Sequence, residues 1–598
     1  MLPDEQIHND NFIYMKERIL EMLFDYTIDI YRVPVLNTRL LTVEYLANLR
    51  DVKQGNTYKK TLDPIVEELL LSLKDDPVIK CIFTTDEKDY IVKRISDKNT
   101  VTDGIIYLNN RIGNGVYYTQ LCKILKKTIL QTKEKKRLER LTRILVSELK
   151  SRNYSYQFIY HTAKQSVPSA DASKDFQMFI NNFTLKKKKY IVSLAADISD
   201  DLVKEIWGDI ERLLPDGIVI FKDEHYIKEV SSTLKKNLNK ENPQYTKNKN
   251  IQFSSFYVPA MDCFGAAKFA SILFDFFTRA HFLLLNEPKS FLIPKCVVSE
   301  IIDLNQNIND QLICIDCWTQ QHRVIKNNED IDESNIPLVK QSQQTLKTLF
   351  SRTSKHDDFM RLSTAIDLHN SSLQTNNYHN SFISLWTSLE VLCNGSQDIN
   401  NIIRACLEMN YIRRIVLNLK NNLQNIDNDS LQAYFKQSKK TDIETYLCSL
   451  LFCQSFKEER AKWGDTLSRR PLIRNRIFSF EYLDCSLYEE VNRYGTRVSL
   501  HVKRMYRTRN GLVHAGEPPK ELQTLGEHLH MYLDVLFEEI LRHFRTGAYS
   551  HLRDVLTAII YEHDIYMKTL KNYTKKIKDM KDEDELEYTQ YLLRQHSE

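Results

Sequence analysis

From about His356 to the end of the chain, apolar residues recur every three or four positions with few breaks, and a helical bundle is the fold that buries such a pattern. Tyr378, Phe382, Leu385, Trp386, Leu389 and Leu392 fall on one helical face. Leu522, Leu525, Leu529, Tyr532, Leu533, Leu536, Phe537, Ile540 and Phe544 make a second stripe. Further helical patterns lie between them at Ile399–Leu419 and Thr441–Phe456. Glycine and proline number only 14 each in 598 residues, so little interrupts long helices. The tail, Lys571–Glu598, reads as a charged helix with a Lys-rich start and an acidic middle, solvated or facing a partner.

The N-terminal part reads differently. Helical patterns at Asn11–Ile30, Leu62–Leu73 and Tyr118–Lys150 alternate with short apolar runs at Val78–Phe83, Tyr90–Ile95, Gly104–Leu108, Tyr190–Leu194 and Gly217–Phe221, which we read as strands. The expected class is therefore α+β, a mixed α/β N-terminal region followed by an all-helical bundle. Polar stretches at Lys235–Asn250 and Lys326–Ser334 flank a strand and helix in Ile251–Leu285. The expected division is a mixed domain at 1–250 (a candidate sensor), a strand–helix connection at 251–350, and a helical domain at 351–598 with an insertion near 395–490.

Charge adds little by itself. Lys and Arg number 83 against 79 Asp and Glu, a formal net charge of +4, which does not announce a nucleic-acid binder. Lys186–Lys189 and the run Lys133–Arg137 are local basic patches whose commoner reading is a solvated face. The eleven cysteines form no regular framework and fit a reducing compartment. Cys314-Ile-Asp-Cys317, with His322 nearby, lacks the second pair that a zinc site needs and reads as a buried strand. The acidic, polar start is unlike a signal peptide, and Ala267–Leu285 carries Lys268, Asp275 and Arg279, so it reads as a buried amphipathic helix. A soluble, cytoplasmic protein with no membrane contact is expected. Asp357, Asp358, His356 and His369 read as surface residues.

One segment carries chemistry. Tyr506-Arg-Thr-Arg-Asn-Gly-Leu-Val-His-Ala-Gly-Glu-Pro-Pro519 closes a helical run that begins near Glu489, and Gly516 and Pro518-Pro519 should stop that helix before another starts near Glu521. At about 100° per residue, Asn510 and His514 share a face one turn apart, so Asn510 is placed to orient the imidazole. Arg509 sits about 140° from His514 and Arg507 nearly on its face. Either guanidinium could bring positive charge to the histidine. A histidine moves the proton of a ribose 2′-hydroxyl or of the leaving oxygen, and a guanidinium neutralises the phosphorane. With the nucleophile already on the substrate, this chemistry calls for RNA and for no metal or cofactor. One helix supplies one histidine, so a symmetric dimer is the natural way to obtain an acid and a base. Glu390, next to Leu389 on the aromatic helix, is a candidate to orient Arg509 or His514 across the bundle, with a structural ion pair as the plainer reading.

Arg509-Asn510-Gly-Leu-Val-His514 resembles the R-x(4–6)-H motif of HEPN domains, including the polar residue that follows the arginine. Ser384-Leu-Trp-Thr-Ser-Leu-Glu-Val-Leu392 resembles the core helix that precedes an R-N-x-x-x-H-x-G helix end in the Apea-like HEPN group. The resemblance spans roughly residues 356–545. It implies a helical bundle, paired motifs in a homodimer or higher even oligomer, and metal-independent endoribonuclease activity with Arg509, Asn510 and His514 as catalytic residues. Many members act in bacterial defence against phage, as toxins or abortive-infection effectors, which makes a phage-derived trigger a candidate partner. The alternative within the same resemblance is a non-catalytic module that binds RNA or scaffolds a complex.

Overall fold

The computed structural model describes residues 4–23, 36–53, 62–113, 115–131, 135–184, 186–197, 219–220, 230, 232, 251–282, 292–301, 313–316, 356–375, 377–393, 398–437, 443–480, 486–515, 519, 521–546, 548–576 and 582–594. The chain forms two units, each discontinuous in sequence. One takes residues 1–147, 168–173 and 322–598, the other 148–167 and 174–321. The units therefore divide the chain near 148 and 321 and not at the compositional breaks near 250 and 350.

The chain opens on helices alone. These are α1 (Asp4–Leu23), α2 (Thr38–Lys53), α3 (Asp63–Asp75), α4 (Ile79–Ile82), α5 (Thr85–Ser96), α6 (Val101–Ile112), α7 (Val116–Gln131) and α8 (Lys135–Ser151). The strands expected at Val78–Phe83, Tyr90–Ile95 and Gly104–Leu108 are thus helical, falling on α4, α5 and α6. The physical reason is local. Thr84 and Glu87 form a reciprocal cap, with the Glu87 N–H donating to Thr84 Oγ1 at 3.3 Å and the Thr84 N–H to Glu87 Oε2 at 2.9 Å. Ile91 and Ile95, then Ile105, Leu108 and Ile112, are buried at helical spacing, whereas a strand would bury alternate residues. In the second basic run Lys136 and Arg137 are exposed, whereas Lys135 is half-buried. Its ammonium donates to Asn11 Oδ1 and lies 5.6 Å from the Tyr14 ring centre, and burial lowers its pKa to about 8. Lys133 lies outside the described residues.

The second unit holds α9 (Tyr156–Gln165), α10 (Ala172–Asn181), α11 (Cys263–Phe282) and one antiparallel sheet. Its strands are β1 (Lys188–Asp197), β2 (Val219–Ile220), β3 (Ile251–Ala260), β4 (Leu292–Glu300) and β5 (Ile313–Asp316), in the order β2-β3-β1-β4-β5. Tyr190 pairs with Val258 on one side and Glu300 on the other, and the β1–β4 register shifts between Leu194 and Ala196. Ile191, Val192, Ser193 and Leu194 are all buried, so both faces of β1 are covered, and the Ser193 and Ser255 hydroxyls satisfy each other at 2.7 Å. Asp262 ties two helix starts together. It accepts the N–H and hydroxyl of Ser155 at 2.7 and 2.8 Å and the Gly265 N–H at 2.7 Å. Helix α11 buries Ala266, Ala267, Ala270 and Phe274 and exposes Phe269, Ile272 and Phe276, so one face is covered and apolar residues remain on the other. Among the described residues no helix is long and apolar enough to cross a membrane. Lys188 pairs with Glu300 at 2.9 Å and Lys189 lies over Tyr257, which engages half of the Lys186–Lys189 patch locally. Cys314 lies on β5, while Cys317 and His322 fall outside the described residues.

The first unit resumes with α12 (His356–Gln374), α13 (Tyr378–Leu392), α14 (Ile399–Gln437), α15 (Ile443–Phe452), α16 (Lys457–Thr466), α17 (Pro471–Phe478), α18 (Leu487–Ala515), α19 (Leu522–Thr546), α20 (Leu552–Lys576) and α21 (Asp582–Leu593). One core joins Trp386 and Leu389 to Ile403, Leu407, Trp463, Ile477 and Leu529. The segment expected as an insertion therefore contributes to the same core as the aromatic helix. The tail is less solvated than its charge suggested, because Tyr588, Leu592 and Leu593 turn inward from α21. Two residues read as surface are half-buried and bonded to other helices. Asp358 accepts the Leu552 N–H at 3.3 Å at the start of α20, and His369 bonds Asp534 at 3.1 Å. The side chains of His356 and Asp357 lie outside the described residues.

The N-terminal helices dock on this bundle through charge. Asp10 meets Arg474 at 2.6 Å, Glu21 meets Arg476 at 2.5 Å, and Glu17 accepts the Leu472 N–H at 3.0 Å at the start of α17. Elsewhere in the bundle, Glu562 lies against Arg542 at 2.5 Å, Arg594 at 3.0 Å and His543 at 3.0 Å. Burial opposes ionisation of Glu562, but the neighbouring His543 and Arg542 outweigh it and hold its pKa at about 2, below its ordinary 4.5. Because the folded value is depressed, the stabilisation is present above pH 4.5 and is lost as pH falls toward about 2. Urea unfolding of Glu562→Gln across that window should therefore show a shallower acid limb than the wild type. Parallel limbs would contradict this.

Candidate active site at the end of the Arg509 helix

Helix α18 runs for 29 residues, and its position is fixed along its length. It starts with a reciprocal cap in which Ser486 and Glu489 exchange hydrogen bonds of 2.8 and 3.2 Å. In the middle, Gly495 lets the Glu408 side chain of α14 pass. A Cβ there would stand 1.7 Å from Glu408 Oε1. Glu408 is buried and binds Arg404 at 3.1 Å and the His563 imidazole. Further on, Arg504 bridges Glu44 of α2 and Glu68 of α3, and Lys503 reaches Glu67 at 2.7 Å. Burial alone would favour a neutral Arg504, but the two carboxylates hold its pKa above the ordinary arginine value. The same burial pushes the Glu68 carboxyl up.

This clamp decides the fate of Arg507. Its guanidinium lies 3.5 Å from Glu44 and is largely buried, with a side-chain exposure of 14%. It belongs to the contact with the N-terminal helices. Sequence spacing put Arg507 nearly on the His514 face, and that spacing says nothing of what packs against the face.

Arg509 goes elsewhere. Its Nη2 lies 3.3 Å from Glu390 Oε2 on α13, and its Nη1 donates to Asn510 Oδ1 at 3.1 Å. The guanidinium keeps a side-chain exposure of 30%. Of the two partners considered for Glu390, Arg509 lies against its carboxylate, and the side chain of His514 falls outside the described residues. The end of α13 that carries Glu390 is itself held. Arg361 of α12 donates to the Leu392 carbonyl at 2.9 Å and to the Val391 carbonyl at 3.3 Å, satisfying acceptors that the helix end leaves open. Neither Arg361 nor the Glu44–Glu68–Arg504 clamp was identified from sequence, because no motif marks a residue that acts across a tertiary contact.

Asn510 therefore accepts from Arg509 with its carbonyl oxygen and keeps its amide nitrogen as a donor. His514 stands in the last turn of α18, one turn beyond Asn510, and its side chain lies outside the described residues. The helix runs unbroken through Gly511 to Ala515, so Gly511 does not loosen the turn. A Cβ at Gly511 would meet nothing within 4 Å. Gly511→Ala should accordingly raise the stability of the fold by up to about 1 kcal/mol in urea unfolding. A loss of stability would show that the position is crowded.

Four residues share the outward stripe of these last turns at helical spacing: Tyr506, Arg509, Asn510 and Val513. Tyr506 is 52% exposed and Val513 50%, so two apolar side chains flank the Arg–Asn pair in open view. Behind them, Trp386 is buried with its ring centre 6.0 Å from that of Tyr506. The arrangement presents a part-exposed guanidinium, oriented on its two terminal nitrogens, at a helix end. That is a group suited to meeting an anionic oxygen.

No family model, no curated protein and no solved structure matches the chain.

Proposed function

We propose that the chain is an endoribonuclease of HEPN type, cutting RNA by attack of a ribose 2′-hydroxyl at a site composed of two copies of the Arg509–His514 segment. The observation that carries the reading is Arg509 itself. It is oriented by Glu390 and Asn510, yet part-exposed at the end of the helix that carries His514. In this reading Arg509 faces the phosphate and stabilises the phosphorane, His514 moves the proton, and Asn510 links the two. The exposed Tyr506 and Val513 on the same stripe supply apolar surface for a two-fold contact between copies. A role in defence against phage, with a phage-derived trigger, follows from the resemblance of the motif and the aromatic helix.

A second reading is favoured by the same ion pair. Glu390 and Arg509 make the contact that a structural bridge between α13 and α18 would make, and a module that only binds RNA or scaffolds a complex would keep it. The two readings separate in one experiment. Wild type and His514→Ala are incubated with RNA, and both binding and cleavage are followed. The ribonuclease reading expects cleavage by the wild type, with binding kept and cleavage lost in the variant. Binding without cleavage by the wild type itself would leave the second reading.

A further inference from the structure

Away from the α18 motif, three potential metal ligands converge between α12 and α19. His530 and Asp534 are four residues apart on α19, so they lie one turn apart on one face, and His369 reaches them from α12. His369 Nε2 lies 3.1 Å from Asp534 Oδ1, and His530 Nδ1 lies 3.1 Å from Asp534 Oδ2. One potential ligand atom from each residue falls within 4.8 Å of the other two. The two imidazoles stand with ring centres 4.6 Å apart, tilted by 38°.

Hydrogen bonding alone leaves this cluster incompletely satisfied. His530 is 8% exposed, and neither of its ring nitrogens has a hydrogen-bond partner among the described residues. Its Nδ1 is close to the carboxylate without the alignment of a hydrogen bond. A buried imidazole in that position costs free energy unless something takes its lone pair. A divalent cation accepts neutral nitrogen lone pairs from both rings and the carboxylate at once.

The geometry and the chemistry agree on the class of ion. Bonds of about 2.0–2.1 Å to nitrogen and oxygen ligands, at tetrahedral or right angles, set neighbouring ligand atoms roughly 3.0–3.4 Å apart. The two observed separations of 3.1 Å run to different oxygens of Asp534, and each has the length of one such edge, while with one ligand atom per residue all three lie within 4.8 Å. Two imidazoles and one carboxylate suit zinc, cobalt, nickel or ferrous iron over magnesium or calcium. Phe537 closes an apolar side against His369, while Asp534, at 39% side-chain exposure, leaves the approach from solvent open. Arg414 is within electrostatic reach of both Asp534 and Glu538.

We propose that His369, His530 and Asp534 form a binding site for a divalent transition-metal ion of the zinc class. The site joins α12, which packs against α13, to the long helix α19, and it stands independently of the ribonuclease reading. Three protein ligands leave a position for water.

The test uses the full chain, stripped of metal and titrated first with Co²⁺ and then with Zn²⁺. The expected result is stoichiometric uptake of Co²⁺ with visible d–d absorption, no thiolate-to-cobalt charge transfer, and displacement by Zn²⁺. The charge-transfer criterion separates this site from the cysteines. His369→Gln and Asp534→Asn should each keep the helical circular dichroism of the wild type. Each should weaken Co²⁺ binding by more than the ~10–100-fold usual for an outer-shell change. Absence of stoichiometric uptake, thiolate charge transfer, or binding unchanged in both variants would overturn the proposal. Should a variant fail to fold, X-ray absorption at the zinc edge of the wild type decides. Imidazole and carboxylate scattering supports the site, and sulfur scattering refutes it.

Discussion

His514→Ala is expected to slow RNA cleavage by roughly 10²–10⁴-fold, the usual cost of removing one general acid or base, while leaving RNA binding in place. The size follows from the assigned role. The imidazole moves a proton in the transition state and contributes little to holding the ground state, so its loss should appear in kcat far more than in KM. Its position also makes the variant dominant. If each site needs the last turn of α18 from two copies, a His514→Ala chain mixed with wild type forms heterodimers in which the composite site is broken. Titrating the variant into a constant amount of wild type, with subunits allowed to exchange, should therefore depress activity. Activity that stays constant through the titration would place a whole site within one chain.

Trp386→Ala should cost about 3–5 kcal/mol of folding stability. Trp386 is 2% exposed and belongs to the core that α13 shares with α12, α18 and α19. Its loss removes a large apolar surface from a site whose walls are long helices with little freedom to close in. The same helix carries Glu390, so the variant should also loosen Arg509. Urea unfolding measures the first effect. A Trp386→Ala protein that melts like the wild type but no longer binds RNA would show that the indole is a substrate platform and not core.

The contrast between the two ends of the chain shows which sequence signals hold up. Over α13 and α19 the apolar stripe persists for several turns, and a period of 3.6 is unmistakable at that length. The runs at Val78–Phe83, Tyr90–Ile95 and Gly104–Leu108 are five or six residues long, too short for spacing to separate helix from strand. The Thr84–Glu87 cap was the available sign that α5 begins there. Tyr190–Leu194 is just as short but is a strand, because its run continues through a register that pairs on both sides. In the candidate site, Asn510 next to Arg509 and the carboxylate of Glu390 were readable as neighbours of a motif. Arg507 shows the limit. Its contact with Glu44 depends on helices more than 450 positions earlier in the chain, and helical spacing within α18 carries no information about them. The His530–Asp534 spacing was in the sequence too, but its meaning depends on His369 arriving from another helix.

The chemistry of the cut ends tests the central claim most directly. Purified full-length chain is given an RNA, with and without a single 2′-deoxy nucleotide at the cleaved position, and the product termini are identified. Attack by the ribose 2′-hydroxyl predicts a 2′,3′-cyclic phosphate on one fragment and a 5′-hydroxyl on the other, no cut at the 2′-deoxy position, and the same termini in the presence of a chelator. Products bearing a 5′-phosphate, or cleavage that proceeds past the 2′-deoxy substitution, would contradict the assignment of the chemistry to Arg509 and His514.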